Sequence, residues 1–187
     1  MNNSVRPDTG MSGQEDEKQR FEQLADQINS APSHDAIMVL LRDRLLKVCG
    51  VDMASIFLID SLKMQLVSWL VLPGESLRKI RIPIDKTSIA GFTASTRELV
   101  LIKDPYDREE LYRIDPELNF DSSWDRQTGI RTRQILAAPI MMQRSLLGVV
   151  QLMNSREGKV FTDLDQRHIG DLAASLGTTL LRLQHVA

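Results

Sequence analysis

Apolar residues recur in this chain with two periods, one of two and one near 3.6, and the changes between them mark its elements. Residues 135–142 and 146–153 are short apolar runs flanking the polar Gln143-Arg144-Ser145, the pattern of a β-hairpin. Alternation along the second strand puts Leu146, Gly148, Val150 and Leu152 on one face. Leu147, Val149, Gln151 and Met153 take the other face, so Gln151 sits among apolar neighbours, where an unpaired amide is costly. Residues 53–60, 64–72 and 77–84 read as three more strands, joined by turns at 60–63 and 73–76. Ile80, Ile82 and Ile84 alternate with Lys79, Arg81 and Pro83, as in a half-buried strand. Sequential strands with short turns form an antiparallel meander.

The helical period governs the ends. In residues 15–29, Phe21, Leu24, Ala25 and Ile28 form a narrow stripe. Such a stripe suits either a helix packed on its own domain or one in an intermolecular bundle. Ser33 reads as the N-cap of a helix over 35–49 that carries Ile37, Leu41, Leu45 and Val48 and stops at Gly50. The last helix, from Asp163 to about Gln184, keeps Ile169, Leu172, Ala173, Leu176, Leu180 and Leu183 in register. Thr162 and Asp165 have capping-box spacing, and Phe161 before them can act as a hydrophobic staple. Thr87 or Ser88 can cap a short helix through Ile89 and Ala90, either a plain connection or an anion-holding N-terminus. Residues 103–132 are long and polar yet carry Tyr106, Tyr112, Phe120 and Trp124, which reads as an ordered cover over the sheet.

These elements predict an α/β chain of the α+β type: five or six antiparallel strands with helices on the faces, and N- and C-terminal helices forming a bundle. The expected organisation is a disordered leader at 1–14, an N-terminal helix at 15–31 and one domain at 32–187. The apolar stripes at both ends predict a parallel homodimer.

Composition narrows the function. A formal net charge of −2 gives no electrostatic footprint for nucleic acid. A single cysteine, Cys49, excludes an internal disulfide framework and fits a reducing, cytoplasmic setting. No apolar h-region follows Met1, so no signal peptide is expected, and no apolar run approaches the length of a membrane span. Cys49 lies among apolar residues with no histidine nearby in sequence, so it reads as a small buried hydrophobe rather than a nucleophile. His34, His168 and His185 are scattered and read as solvated surface groups rather than metal ligands. No phosphate-binding glycine motif, HExxH, GxSxG or CxxC is present, and no nucleophile has a base and orienter, so no enzyme activity is expected.

The hairpin with Pro139, the Gly148-Val149-Val150-Gln151-Leu152-Met153-Asn154 run, Phe161, Asp165 and the long last helix together resemble the C-terminal half of a GAF domain. That resemblance extends from about Ser33 to the end and implies a small-molecule-sensing and dimerisation module. Asp125, Thr128, Gly129 and Thr132 resemble the lid of the GAF domains that bind cyclic nucleotides in phosphodiesterases and some bacterial adenylyl cyclases. By the same resemblance Ile89-Ala90 is the short helix beside the cyclic phosphate, Ser55 faces the purine and Gln151 is a polar pocket position. It implies ligand-binding roles for Ser55, Ile89, Ala90, Asp125, Thr128, Thr132 and Gln151, with cAMP or cGMP as ligand. Asn154, Phe161 and Asp165 match the structural signature of that subfamily, where they are expected to be structural: Asp165 at the last helix's start, Asn154 fixing the loop after the strand. Ser155 and Gln166 replace its Lys and Glu, so its Lys–Asp ion pair cannot form there. The lid region has no cysteine, which disfavours covalent bilin. The alternatives are a ligand-free interaction module with its pocket filled by side chains, or the regulatory N-terminus of a larger signalling enzyme or secretion ATPase.

Overall fold

A computed structural model describes residues 9–73 and 79–184. Six strands form a single sheet in the order β3-β2-β1-β6-β5-β4. They are β1 (Val51–Asp60), β2 (Gln65–Leu72), β3 (Arg81–Pro83), β4 (Val100–Ile102), β5 (Ile135–Met142) and β6 (Ser145–Ser155), and every pairing is antiparallel. The predicted α+β architecture is therefore the observed one.

Each face of the sheet carries its own core. One cluster joins Ala54, Ile56, Leu136, Ala138, Val150 and Leu152 to three helices: α1 (Thr9–Ser30), α2 (His34–Val48) and α6 (Asp163–Gln184). The other joins Phe57, Ile135, Ala137 and Val149 to α3 (Ile89–Thr96) and the lid, which contains α4 (Arg108–Ile114) and α5 (Ser123–Thr128). Strand alternation generates both cores from the same residues, since neighbours point to opposite faces.

The hairpin closes on a tight turn, with Met142 paired to Ser145 and Gln143 at a left-handed φ of 53°. Ser145, expected in the turn, is already in the strand. Pairing slips between Ile140 and Met141, so that Ile140 meets Gly148 and Met141 meets Leu146, leaving Leu147 as an extra residue. The bulge reverses the expected faces at this end: Leu146 packs on the lid-side core and Leu147 on the helical one. From Gly148 onward the predicted alternation holds.

Helix α1 starts at Thr9, inside the stretch expected to be a disordered leader; residues 1–8 of that leader lie outside the described residues. Its stripe is not free for a partner. Phe21, Leu24 and Ile28 are buried in the same cluster as Ile169, Leu172, Leu176, Leu180 and Leu183 of α6. Thr179 also donates to the Asn29 side chain, and Arg182 to the carbonyls of Asn29 and Ala31. The two stripes offered as a homodimer seam thus cover each other within one chain, and the geometric ground for that dimer falls. Helix α2 follows the prediction: Ser33 caps it by accepting the Ala36 N–H at 3.2 Å, and Gly50 follows its end at φ 60°.

The strand expected over 77–84 shrinks to three residues. Pro83 lacks the N–H a longer ladder needs, and residues 74–78 lie outside the described set. Ile80, Ile82 and Ile84 still lean on the lid-side core, as their alternation requires.

Candidate ligand site under the lid

Ser55 on β1 lies directly opposite Gln151 on β6, and both side chains belong to the lid-side face. They are 5% and 8% exposed, and Ser55 Oγ donates to Gln151 Oε1 at 3.3 Å. Phe57, Ala137 and Val149 border the pair, so this is a polar spot in an apolar floor. Ile89 and Ala90 open α3 in the same core. Ser88 caps that helix, its side chain taking up the Gly91 N–H of the first turn at 3.1 Å. The lid is stitched to this helix start: Asn119 N–H donates to the Thr87 carbonyl at 3.1 Å.

Asp125 is the knot of the lid. Its Oδ2 accepts the Tyr106 hydroxyl at 2.7 Å and the Thr132 N–H at 2.6 Å; its Oδ1 accepts the Thr132 hydroxyl at 2.7 Å. This clasp ties the start of the lid, α5 and the return to β5 into one unit. Hydrogen bonding to a carboxylate pushes the Tyr106 phenol above its usual range. The Arg131 guanidinium lies 3.9 Å over the Tyr106 ring, and Phe120 meets that ring edge-on. The bonds of Asp125 and Thr132 are spent inside the lid. Thr128 is exposed and turned back on its own helix, donating to the Trp124 carbonyl and accepting the Ile130 N–H. The structure therefore brings Ser55, Gln151, Ile89 and Ala90 to one core, gives Asp125 and Thr132 to the clasp, and leaves Thr128 outside.

Two polar side chains hold the frame around the site. Asn154, fully buried at φ 59°, accepts the Arg133 N–H and donates to the Arg131 carbonyl. It pins the end of the lid to β6; the expectation that it fixes the loop following the strand is corrected. Gln134, which sequence reasoning did not single out, accepts the Phe161 N–H at 3.0 Å and donates to the Lys159 carbonyl. Its one signal was a polar residue just before an apolar strand. Asp165 closes the capping box: it accepts the Thr162 N–H at 2.6 Å and hydroxyl at 2.7 Å, while Thr162 Oγ1 accepts the Asp165 N–H at 3.3 Å. Phe161 is buried beside that cap.

Two other sequence expectations meet the structure here. Cys49 is buried on the helical side of the sheet, away from the lid, and burial pushes its thiol far above the usual range. His168 is not a solvated surface group but buried, stacked on Phe21. No group of three or more His, Cys, Asp or Glu side chains able to hold a metal occurs among the described residues. No helix among them is long and apolar enough to cross a membrane.

The GAF domain family profile matches residues 34–180. This chain belongs to the GAF domain family. It is 31% identical over 159 residues to a probable 3′,5′-cyclic phosphodiesterase of Caenorhabditis elegans, covering 79% of this chain and 20% of the relative. The chain thus spans about a fifth of that protein's length. Among solved structures, the GAF domain of a phosphoenolpyruvate-protein phosphotransferase from Coxiella burnetii superposes with a TM-score of 0.70 at 18% identity, over 90% of this chain and 95% of that one. Free methionine-R-sulfoxide reductase from Neisseria meningitidis, solved with its substrate, reaches 0.73 at 14% identity over all of both chains. The fold thus occurs both as a domain of a phosphotransferase and in a methionine sulfoxide reductase, and these distant likenesses speak to fold alone.

Proposed function

We propose that this GAF domain is a non-catalytic sensory module that takes a small polar ligand between the sheet and the lid, with cAMP or cGMP the first ligands to try. The observation that carries the reading is the buried Ser55–Gln151 pair. Two hydrogen-bonding side chains sit together in an apolar floor, and a few polar groups in an apolar wall are the usual makeup of a small-molecule site. Their single mutual bond is long, at 3.3 Å. A serine hydroxyl and an amide together offer both donors and acceptors, which a purine edge would satisfy. The start of α3 would meet an anionic part such as a cyclic phosphate through its N–H groups and dipole. The phosphodiesterase relative supports the nucleotide choice. In this reading Asp125 and Thr132 act by closing the lid, and Thr128 makes no ligand contact.

Against catalysis, reduction of a sulfoxide by a protein thiol needs an accessible thiolate. The sole cysteine, Cys49, is buried and held in the thiol form on the other side of the sheet. The module would work within a larger cytoplasmic signalling protein. A homodimer would use the outward faces of the helices, because the inward stripes are already covered.

A second reading has its own support. The space between sheet and lid holds Phe57, Phe92, Leu111, Leu118 and Val149 packed together, as in a ligand-free interaction module. Mass spectrometry of gently purified protein separates the two. A stoichiometric small molecule, lost in Gln151→Leu while the fold survives, is the expected result. Bare protein that no candidate nucleotide stabilises would leave the second reading.

A further inference from the structure

The seam between α1 and α6 contains a base in an unusual setting. His168 is 5% exposed, and its ring lies on Phe21 with centroids 4.0 Å apart and planes 18° from parallel. Its Nδ1 is buried without a hydrogen-bond partner, the one such side-chain atom among the described residues. Beside the ring a half-open cavity of about 450 Å³ runs between the helices, floored by Phe21, Ala25, Leu164 and Leu172. A buried polar group of this kind normally finds a partner, so its retention at a helix–helix seam calls for an explanation.

The charged groups facing the ring decide what it can do. Helix α1 presents Glu17, Lys18, Glu22 and Asp26; α6 presents Asp165, Arg167 and Asp171. Several are committed elsewhere, Lys18 to Glu22 at 3.7 Å and Asp165 to its capping box. The Glu17 carboxylate stands 3.7 Å from Nδ1, beyond hydrogen-bond reach. Burial outweighs Glu17, Asp165 and Asp171, and with Arg167 it holds the imidazole below its ordinary range, so the docked ring is neutral. The family profile match begins at residue 34, after α1 ends at Ser30. Helix α1 takes no part in strand pairing, so its lifting would break none of the sheet's ladder bonds.

We propose that His168 makes the docking of α1 on α6 acid-labile, so that α1 is an arm that lifts from the domain as the pH falls. The neutral ring packs flat on Phe21; the imidazolium must be hydrated, and the cavity beside it is the route by which water reaches it. When α1 lifts, the ring enters water and regains an ordinary histidine pKa of about 6.5. The lifted state then binds more protons than the docked one. Docking strength is fully present above that value and declines as pH falls through it. The inference stands apart from the ligand reading and needs no occupant under the lid.

Amide hydrogen exchange of the whole chain, corrected for intrinsic rates, tests it. Between pH 7.5 and 5.5 the opening of α1 amides should increase by up to about tenfold, the limit set by a single proton, while α2 amides change little. The His168 ring resonance, which reports the docked majority, should titrate below the ordinary histidine range. His168→Phe, which keeps the stack, should remove the pH response; His168→Gln provides the same test with a neutral polar side chain if Phe disturbs folding. Constant α1 protection in the parent chain overturns the proposal. So does an undiminished response in both variants, which would assign it to the surrounding carboxylates.

Discussion

At the scale of single residues, the polar side chains divide into those that hold the frame and those left to meet a ligand. Asn154 is the strongest of the first kind. Asn154→Ala would leave the Arg133 N–H and the Arg131 carbonyl without their partner. Both bonds are only partly buried, so the loss stays within the about 1–3 kcal/mol of a buried unsatisfied group, and a drop in melting temperature is expected, with or without ligand. Asp165→Ala removes the carboxylate half of the capping box, the bonds from the Thr162 N–H and hydroxyl, while the N–H at 165 can still donate to Thr162 Oγ1. Its expected cost is about 0.5–2 kcal/mol, read by denaturant unfolding. If Asp165→Ala instead abolished ligand binding at unchanged stability, its assignment as a cap would fail. The Lys86–Asp115 contact, at 2.7 Å, gives a pH prediction. The Lys86 ammonium and the Glu117 N–H hold the Asp115 carboxyl below its ordinary value, and Asp115 raises Lys86 above its own. A depressed carboxyl stabilises the fold above the unfolded pKa near 3.8 and loses that contribution as pH falls through the folded value. Lys86→Met should therefore flatten the acid limb of the stability profile while leaving the lid-side core in place.

Among the elements, the hairpin and the two terminal helices carry most of the architecture, and they were also the most legible. Their apolar positions repeat over many residues, so the period is unambiguous. Helix α1 shows where legibility stops. Its narrow stripe at Phe21, Leu24 and Ile28 fits a partner in the same chain or in another equally well, because periodicity says what must be buried and not against what. The fold answers that α6 of the same chain buries it. Leu24→Asp or Leu176→Asp, which would merely separate subunits if those stripes formed a dimer, should instead destabilise the isolated chain. Even the milder Leu→Ala typically costs about 2–5 kcal/mol. Light scattering of a soluble, fully folded Leu176→Asp monomer would contradict this. The bulge at Leu147 was invisible for a different reason: an extra residue reverses the faces of Leu146 and Leu147 while both remain apolar. β4 has only three residues and left no period to read.

For the whole molecule, the sheet is a partition between a helical core and a lid-side core. The candidate site was legible only in its floor and its helix. Alternation put Gln151 on an apolar face and capping marked the helix through Ile89 and Ala90, while the site roles of Ser55, Ile89 and Ala90 came from the family resemblance. Thr128 and Thr132 have hydroxyls that can bond forward to a ligand or back to the lid, and one-dimensional spacing does not distinguish these. Asp125 chose the lid, through Tyr106 and Thr132, a partnership that only the folded loop brings about. The central claim is that the Ser55–Gln151 floor receives a ligand beneath that lid. Calorimetric titration of cAMP and cGMP into the parent chain, Gln151→Leu and Thr132→Ala tests it most directly. The account predicts a saturable isotherm with at least one nucleotide, abolished or strongly weakened in Gln151→Leu. Thr132→Ala should weaken it by about 0.5–1.5 kcal/mol, the net worth of one hydrogen bond in the clasp. No heat and no thermal shift with either nucleotide at millimolar concentration would contradict the cyclic-nucleotide assignment, and an isotherm unchanged in Gln151→Leu would contradict the site itself.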